Sequence, residues 1–376
     1  MDEEMRGPLQ AAEQGRRLAP YGRALLNWYD AHRRLLPWRL DAAPYRVWVS
    51  EIMLQQTRIE AVLPYFDRFM RELPTIRDLA ACGEDRLLKL WEGLGYYSRA
   101  RNLQKAARVI LEQYGGEMPR AYEALLALPG IGDYTAGAIA SISFGLPVPA
   151  VDGNVMRVLA RLTANGEDVL RPAAKRWFTA AAAAMLPPEA PGAFNQALME
   201  LGETVCLPNT EPRCGDCPLA AACLAREQGI ARQLPVRAPK KARRVEQRTI
   251  LVCIDERAEP AVLLHRREPQ GLLGGLWELP GAAGWLTAGE AAAQARALGL
   301  RAAAIEPLGD GKHIFSHIEW RMQGYRLTVE GRTAVGDGWV WATGAQVQGV
   351  YALPSAFRAY AARLPEWLRP KTEKKG

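Results

Sequence analysis

Residues 233–246, QLPVRAPKKARRVE, constrain the fold of this chain more than any other stretch. Proline has a fixed φ and no backbone donor, so Pro235 and Pro239 suit neither a helix interior nor a central strand. Lys240, Lys241, Arg243 and Arg244 add a run of like charge that stays solvated. The residue pattern changes across this stretch. Upstream, apolar residues recur at helical spacing; downstream, β-branched runs alternate with turn residues. A chain of 376 residues suits two domains better than one. The expected organisation is a helical domain over 1–230, a basic linker over 231–246 and a strand-bearing domain over 247–368. A disordered tail is expected over 369–376.

A 49% apolar fraction supports two sizeable cores, and a net charge of +7 favours an anionic partner. No run of about 18 apolar residues is present, so no transmembrane helix and no membrane partner are expected. The start, MDEEMRGPLQ, lacks the apolar segment of a secretory signal. Of six cysteines, four cluster as Cys206, Cys214, Cys217 and Cys223. Such a cluster points to metal binding in a reducing compartment rather than to a disulfide framework, so the expected address is the cytoplasm. Four thiolates suit Zn²⁺ or an iron–sulfur cluster, and spacing alone does not separate the two.

Within the helical part, residues 20–34 carry Tyr21, Leu25, Trp28 and Tyr29 on one stripe, ending before Pro37-Trp38-Arg39. Residues 45–58, YRVWVSEIMLQQTR, predict a largely buried helix with Glu51 in its middle. A carboxylate among apolar neighbours loses solvation as an anion, so its pKa rises and it can hold a proton near neutrality. A structural Glu bonded to a helix end fits the same residues. Gln55, Gln56 and Thr57 follow with groups able to bond base edges and phosphates. Residues 61–114 read as helices broken at Pro74, Gly83 and the turn Gly93-Leu94-Gly95-Tyr96-Tyr97. That turn suits intercalation from an apolar tip, or buried aromatics at a helix joint.

Residues 128–156, LPGIGDYTAGAIASISFGLPVPAVDGNVM, pair a glycine-flanked loop with a helix and then one acid. Gly130 and Gly132 allow close backbone approach, and the free N–H groups of a helix start form an anion site. Asp152 precedes the helical run 155–162 as an N-cap. Bonds from helix N–H groups are expected to keep it ionised. Glu51, expected protonated, and Asp152, expected charged, would then divide acid and counter-charge roles.

These motifs together carry a resemblance. The run SEIMLQQT and the loop LPGIG resemble the helix–hairpin–helix DNA glycosylases, and nearly the whole chain is similar to the adenine DNA glycosylases of the MutY type. The resemblance implies an all-α helix–hairpin–helix glycosylase module with an iron–sulfur cluster loop, plus an α+β Nudix-like C-terminal domain. It implies monofunctional hydrolysis of the N-glycosidic bond of adenine mispaired with 8-oxoguanine or guanine in double-stranded DNA, by a monomer on the nucleoid. Glu51, Asp152 and Tyr134 are then the catalytic residues. Trp38, Arg39 and Asn154 line the base pocket. Gln56 wedges into the duplex beside Thr57, and Leu94, Gly95 and Tyr96 contact DNA, as do Gly130 and Gly132 of the hairpin. Relatives that also cut the strand place a lysine where Tyr134 stands, because an amine can form a Schiff base and a phenol cannot.

The resemblance also implies a [4Fe–4S] cluster, in preference to zinc, on C-x6-C-x2-C-x5-C. This chain reads C-x7-C-x2-C-x5-C, one residue longer in its first loop. Residues 271–281, GLLGGLWELPG, resemble the entry of a Nudix fold, whose hydrolases bind metal through paired glutamates. Arg296 and Ala297 stand at those positions, so this domain is expected to bind without hydrolysing. Ser316 and His317 of the Phe-Ser-His element are implied to sense 8-oxoguanine. An amphipathic helix is expected over 354–364, ended by Pro365. Two other readings fit fewer residues. An endonuclease III-like glycosylase/lyase is disfavoured by Tyr134, and a non-catalytic damage-binding protein by the Glu51–Asp152 pair.

Overall fold

A computed structural model describes residues 3–239, 242–257, 259–332 and 336–370, with side chains from residue 7. Lys240 and Lys241 of the linker, and tail residues 371–376, lie outside the described residues. The chain divides into two compact units. One comprises Met1–Ala81 with Asn102–Pro239, the other Cys82–Arg101 with Lys240–Gly376.

The first unit is helical. Its core gathers Leu25, Tyr29, Val155, Leu159, Phe178, Phe194 and Leu198 from the helices Gly22–His32, Gly153–Leu162, Pro172–Met185 and Pro191–Thr204. The helix Pro44–Leu54 buries every residue from Val47 to Met53, which is why its sequence lacks a polar face. It stops at Gln55, and Gln56 takes a left-handed φ of 58°. That conformation costs a non-glycine residue free energy and turns the chain sharply out of the helix.

The hairpin turns at Gly130 (φ 78°), where a Cβ would lie 2.7 Å from that of Asn102. The helix Asp133–Phe144 starts at Gly132 and is buried on nearly all sides. At Gly137 it presses on the stretch that leads to Asp152: a Cβ there would stand 2.3 Å from the Pro149 carbonyl oxygen. Small residues in this helix therefore serve close packing.

The second unit holds a seven-stranded mixed sheet. Its strands are β1 (Arg244–Asp255), β2 (Ala261–Arg266), β3 (Trp277–Glu278), β4 (Gly281–Ala283), β5 (Ala302–Ile314), β6 (Ile318–Val329) and β7 (Trp339–Thr343). The order is β3-β2-β1-β6-β5, with β4 on β1 and β7 on β2. β1 and β6 run parallel, in register from Arg244↔Ile318 to Ile254↔Thr328. From Thr249 to Asp255 both faces of β1 are covered, so residues 250–254 read as a continuous apolar run rather than an alternating one, while the first half of the strand is more exposed. Ile250, Val252 and Ile254 pack with Trp320, Phe357 and Tyr360 on one face. Leu251 and Cys253 pack on Ala291 and Ala295 of the helix Ala288–Ala297 on the other. Thr287 caps that helix with a full capping box.

Three expectations are corrected. The linker ends sooner, because β1 begins at Arg244 and pairs there with β6. Residues 354–364 form no continuous helix. The 3-10 turn Ser355–Phe357 runs into the short helix Arg358–Ala361, and after a break at 362–363 comes a separate short helix, Leu364–Trp367. Pro365 sits in the first turn of that last piece, where a missing N–H costs nothing, and so does not terminate a helix. Finally, residues 82–101 fold with the C-terminal unit although the sequence assigns them to the helical domain.

Gly137→Ala should destabilise the protein by about 3 kcal/mol through overpacking. Gly22→Ala, whose Cβ would meet only Phe194 at 3.8 Å, should not. Urea unfolding of the two variants separates them; equal midpoints would contradict the close-packing account.

Candidate active site

A cavity of about 430 Å³ in the first unit is lined by Glu51, Tyr134, Asp152, Asn154, Trp38 and Arg39. Thus the three catalytic and three pocket residues expected from sequence come together, and Gln56 and Thr57 also reach this cavity. Glu51 is 5% exposed. Burial pushes its carboxyl up to about 7, against a hydrogen bond from Tyr134 and with a further rise from the Asp152 charge. The Tyr134 hydroxyl donates to Glu51 Oε2 at 2.5 Å. Burial and the Glu51 charge raise the phenol pKa well above its ordinary value, so Tyr134 keeps its proton.

Asp152 caps the helix Gly153–Leu162, its Oδ1 accepting from Val155 N–H at 2.7 Å. Its Oδ2 accepts from Asn154 Nδ2 at 2.9 Å. Two opposing effects act on this carboxyl. Burial raises it above the ordinary aspartate value, outweighing the Val155 and Asn154 donors and Arg157. Asn154 in turn bonds Glu203 and accepts from Arg157, whose Nε donates to the Cys206 carbonyl at 2.9 Å.

Sequence reasoning missed Glu200. It is fully buried within the helix Pro191–Thr204, and its oxygens accept from Arg34 N, Nε and Nη2 and from Arg39 Nη2 at 2.7–3.3 Å. Burial alone would raise its carboxyl, but the Arg34 and Arg39 bonds hold it below the ordinary glutamate value. Trp38 stands edge-on to Phe66 with centroids 5.0 Å apart. The cavity thus has an aromatic wall, a saturated Arg–Glu–Arg group, the buried Glu51 carboxyl and the partly buried Asp152 carboxyl. No local signal in the ELGET run separates Glu200 from an exposed helix acid, because its partners lie some 160 residues upstream.

The four clustered cysteines line one small apolar cavity beside the helix Gly153–Leu162. All are free thiols, and burial together with the neighbouring Cys charges pushes Cys217 up to about 12. Arg161 Nη1 donates to Cys206 Sγ at 3.2 Å. No group of three or more His, Cys, Asp or Glu among the described residues is placed to hold a single metal ion. The extra residue between Cys206 and Cys214 is accommodated by Asn209 at φ 59° and by a bond from Arg213 N–H to the Val205 carbonyl.

The remaining expected residues lie elsewhere. Gly130 and Gly132 form the hairpin turn. Leu94, Gly95, Tyr96, Ser316 and His317 belong to the second unit. There a cavity of about 560 Å³ is lined by Tyr96, His313, Phe315, Ser316 and His317. The turn's exposed side chain is Tyr96, 47% accessible at φ 47°, while Leu94 is 7% accessible and not at the tip. Arg99 braces this turn by donating to the Leu94 and Gly95 carbonyls. Tyr96 and Ser316 hydroxyls lie 3.2 Å apart. Phe315 packs edge-on against His313 and Trp320, and its carbonyl accepts from Arg243 Nε at 3.1 Å.

A profile described as "HhH-GPD superfamily base excision DNA repair protein" matches residues 49–179, and one described as "NUDIX domain" matches 249–363. The adenine DNA glycosylase of Homo sapiens is 37% identical over 91% of this chain and 74% of its own. The chain belongs to the adenine DNA glycosylase family. The Schizosaccharomyces pombe member is 34% identical over 68% of each chain. The helical unit resembles a thermostable thymine-DNA glycosylase at TM-score 0.52 and 28% identity, over 58% of this chain and 99% of that one. As an adenine DNA glycosylase, this enzyme hydrolyses N-glycosyl bonds in DNA and acts in base excision repair. The family binds a [4Fe–4S] cluster, and the four thiols around one cavity fit such a group.

Glu200→Gln should cost about 3 kcal/mol, because it leaves two guanidinium groups around an uncharged partner. The sign with pH follows from the lowered carboxyl. The stabilisation is present above the ordinary glutamate value and is lost as pH falls through the lower folded value. Unfolding of wild type and variant between pH 3 and 7 should converge at the acid end; a constant gap would remove Glu200 from this role.

Proposed function

We propose that the enzyme excises adenine lying opposite 8-oxoguanine or guanine in duplex DNA, by hydrolysis and without a strand-cutting step. The observation that carries the chemistry is the Tyr134 hydroxyl bonded at 2.5 Å to a desolvated Glu51, in one cavity with Asp152. A base must leave the stack to enter such a cavity, and Trp38 offers it an apolar wall. Glu51 donates its proton to N7 of the adenine, turning a poor leaving group into a neutral one. The anionic Asp152 faces the sugar and stabilises the positive charge that develops as the bond breaks. Its cap bonds to Val155 and Asn154 hold it in place without moving during the reaction. Water then completes the hydrolysis, by the logic of two-carboxylate glycoside cleavage. Tyr134 offers no amine for a Schiff base, which supports base removal alone.

Gly130 and Gly132 present backbone N–H groups to phosphate, and Gln56, thrown out of its helix at φ 58°, is positioned to fill a vacated stack. The second cavity, with Tyr96, Ser316 and His317, is proposed to read the base opposite the adenine. Cys206, Cys214, Cys217 and Cys223 would hold the [4Fe–4S] cluster, whose contribution when bound is to tie residues 206–223 together by iron–thiolate bonds. The enzyme is proposed to work as a monomer, in the cytoplasm and on the nucleoid.

Incubation with A:8-oxoguanine, A:G and thymine-glycol duplexes should give alkali-revealed breaks at adenine alone. Breaks without alkali would defeat the monofunctional reading, and none at adenine would defeat the assignment. Glu51→Gln should abolish turnover while sparing binding. With Glu51 titrating at about 7, excision should decline as pH rises through neutrality. Tyr134→Phe removes a donor that favours the carboxylate, so the alkaline limb should move to higher pH; a limb that stays put would exclude this coupling. The purified protein should contain iron and sulfide and absorb broadly in the visible, whereas a colourless zinc protein would refute the cluster.

A further inference from the structure

Residues 82–101 lie inside the stretch that the HhH-GPD profile matches, yet they fold as part of the second unit. A small polar knot accounts for this. Lys89 Nζ donates to Glu92 Oε2 at 2.5 Å, to the Val347 carbonyl at 2.7 Å and to the Tyr351 carbonyl at 3.2 Å. An ammonium carries three donors, and all three are committed. The other Glu92 oxygen accepts the Leu353 N–H at 2.6 Å. The side chains are only 14% and 28% exposed, so solvent and salt screen the group less than a surface pair. Asp85 adds a longer ion pair to Arg266 at 3.5 Å.

Both ends of this knot lead directly to the second cavity. After Leu353 the chain runs into Pro354, Ser355 and Ala356, which line it. After Glu92 it runs into the turn that carries Gly95 and Tyr96, which line it too. The Tyr96 hydroxyl lies 3.2 Å from Ser316 Oγ, so a shift of the turn by one ångström would break that bond.

We propose that Lys89 and Glu92 are the positioning pair that sets the Tyr96 turn against residues 315–317, and so governs selectivity for the base opposite the adenine. This rests on the opposite-base reading of that cavity. Neither residue lines the cavity, so the pair acts through geometry. Without the ammonium, two carbonyls and the Glu92 carboxylate lose their common donor, and the turn is freed from the wall at 354–356.

The test uses the full chain and single-turnover excision from A:8-oxoguanine and A:G duplexes. Lys89→Met keeps the aliphatic stem and removes the donors; Glu92→Gln is the milder second variant. Each should lower the ratio of the two rates, by about tenfold for Lys89→Met, the scale of a charge-assisted hydrogen bond. The A:G rate should stay within about twofold, because the adenine cavity is untouched. In a Ser316→Ala, His317→Ala background, Lys89→Met should change the ratio no further. An unchanged ratio in both single variants, a parallel fall of both rates, or full additivity would each overturn the proposal. If Ser316→Ala, His317→Ala itself leaves the ratio unaltered, the opposite-base reading fails first and takes the proposal with it.

Discussion

A single desolvated carboxyl determines how the helical unit must be built. Glu51 is among the costliest residues to bury, and it sits in a helix with no polar face. The Tyr134 hydroxyl, which burial keeps protonated and able to donate, meets that cost only in part, since burial outweighs its bond and still lifts Glu51 to about 7. The result is an acid that gives up its proton near neutral pH. Everything that brings Tyr134 to Glu51 is therefore under constraint: the tight Gly130 turn, and a helix packed so closely that Gly137 has no room for a side chain.

The other charges of the cavity are handled differently. Glu200 is buried as deeply, but four donors from Arg34 and Arg39 saturate its oxygens, and its carboxyl goes down where that of Glu51 goes up. Asp152 lies between these cases. It has a cap bond and the Asn154 amide, yet burial still lifts it. Desolvation acts to raise all three of these carboxyls, and only the charged donors around Glu200 outweigh it. Asn154 and Arg157 extend the Asp152 bonds as far as the Cys206 carbonyl, so side chains of one helix touch both the aspartate and the start of the cysteine loop.

Much of this was legible in the sequence. The apolar run around Glu51, the Asp152 cap, the cysteine cluster and the change of pattern near residue 240 all follow from local chemistry with local signals. Where local signals mislead, the reason is a distant partner. Pro365 looks like a helix stop but starts a short one. Leu94 looks like an apolar loop tip but is buried, leaving Tyr96 outside. The Asp152 cap is legible locally, but the desolvation that raises its carboxyl against the cap bonds is not.

The sequence by itself determined the two domains, the chemistry available to each and the residues most able to carry it. It did so because helix period, strand composition, proline placement and cysteine spacing are all encoded within a few residues. Tertiary structure alone decided that Glu200 joins Arg34 and Arg39, and that Tyr134 reaches Glu51. It also decided that residues 82–101 leave the helical unit for the other. Each of these depends on hydrogen bonds between groups tens to hundreds of residues apart, such as Lys89 with the carbonyls of Val347 and Tyr351. No local pattern encodes such a pairing, because the donor and its acceptors become neighbours only when the chain has folded.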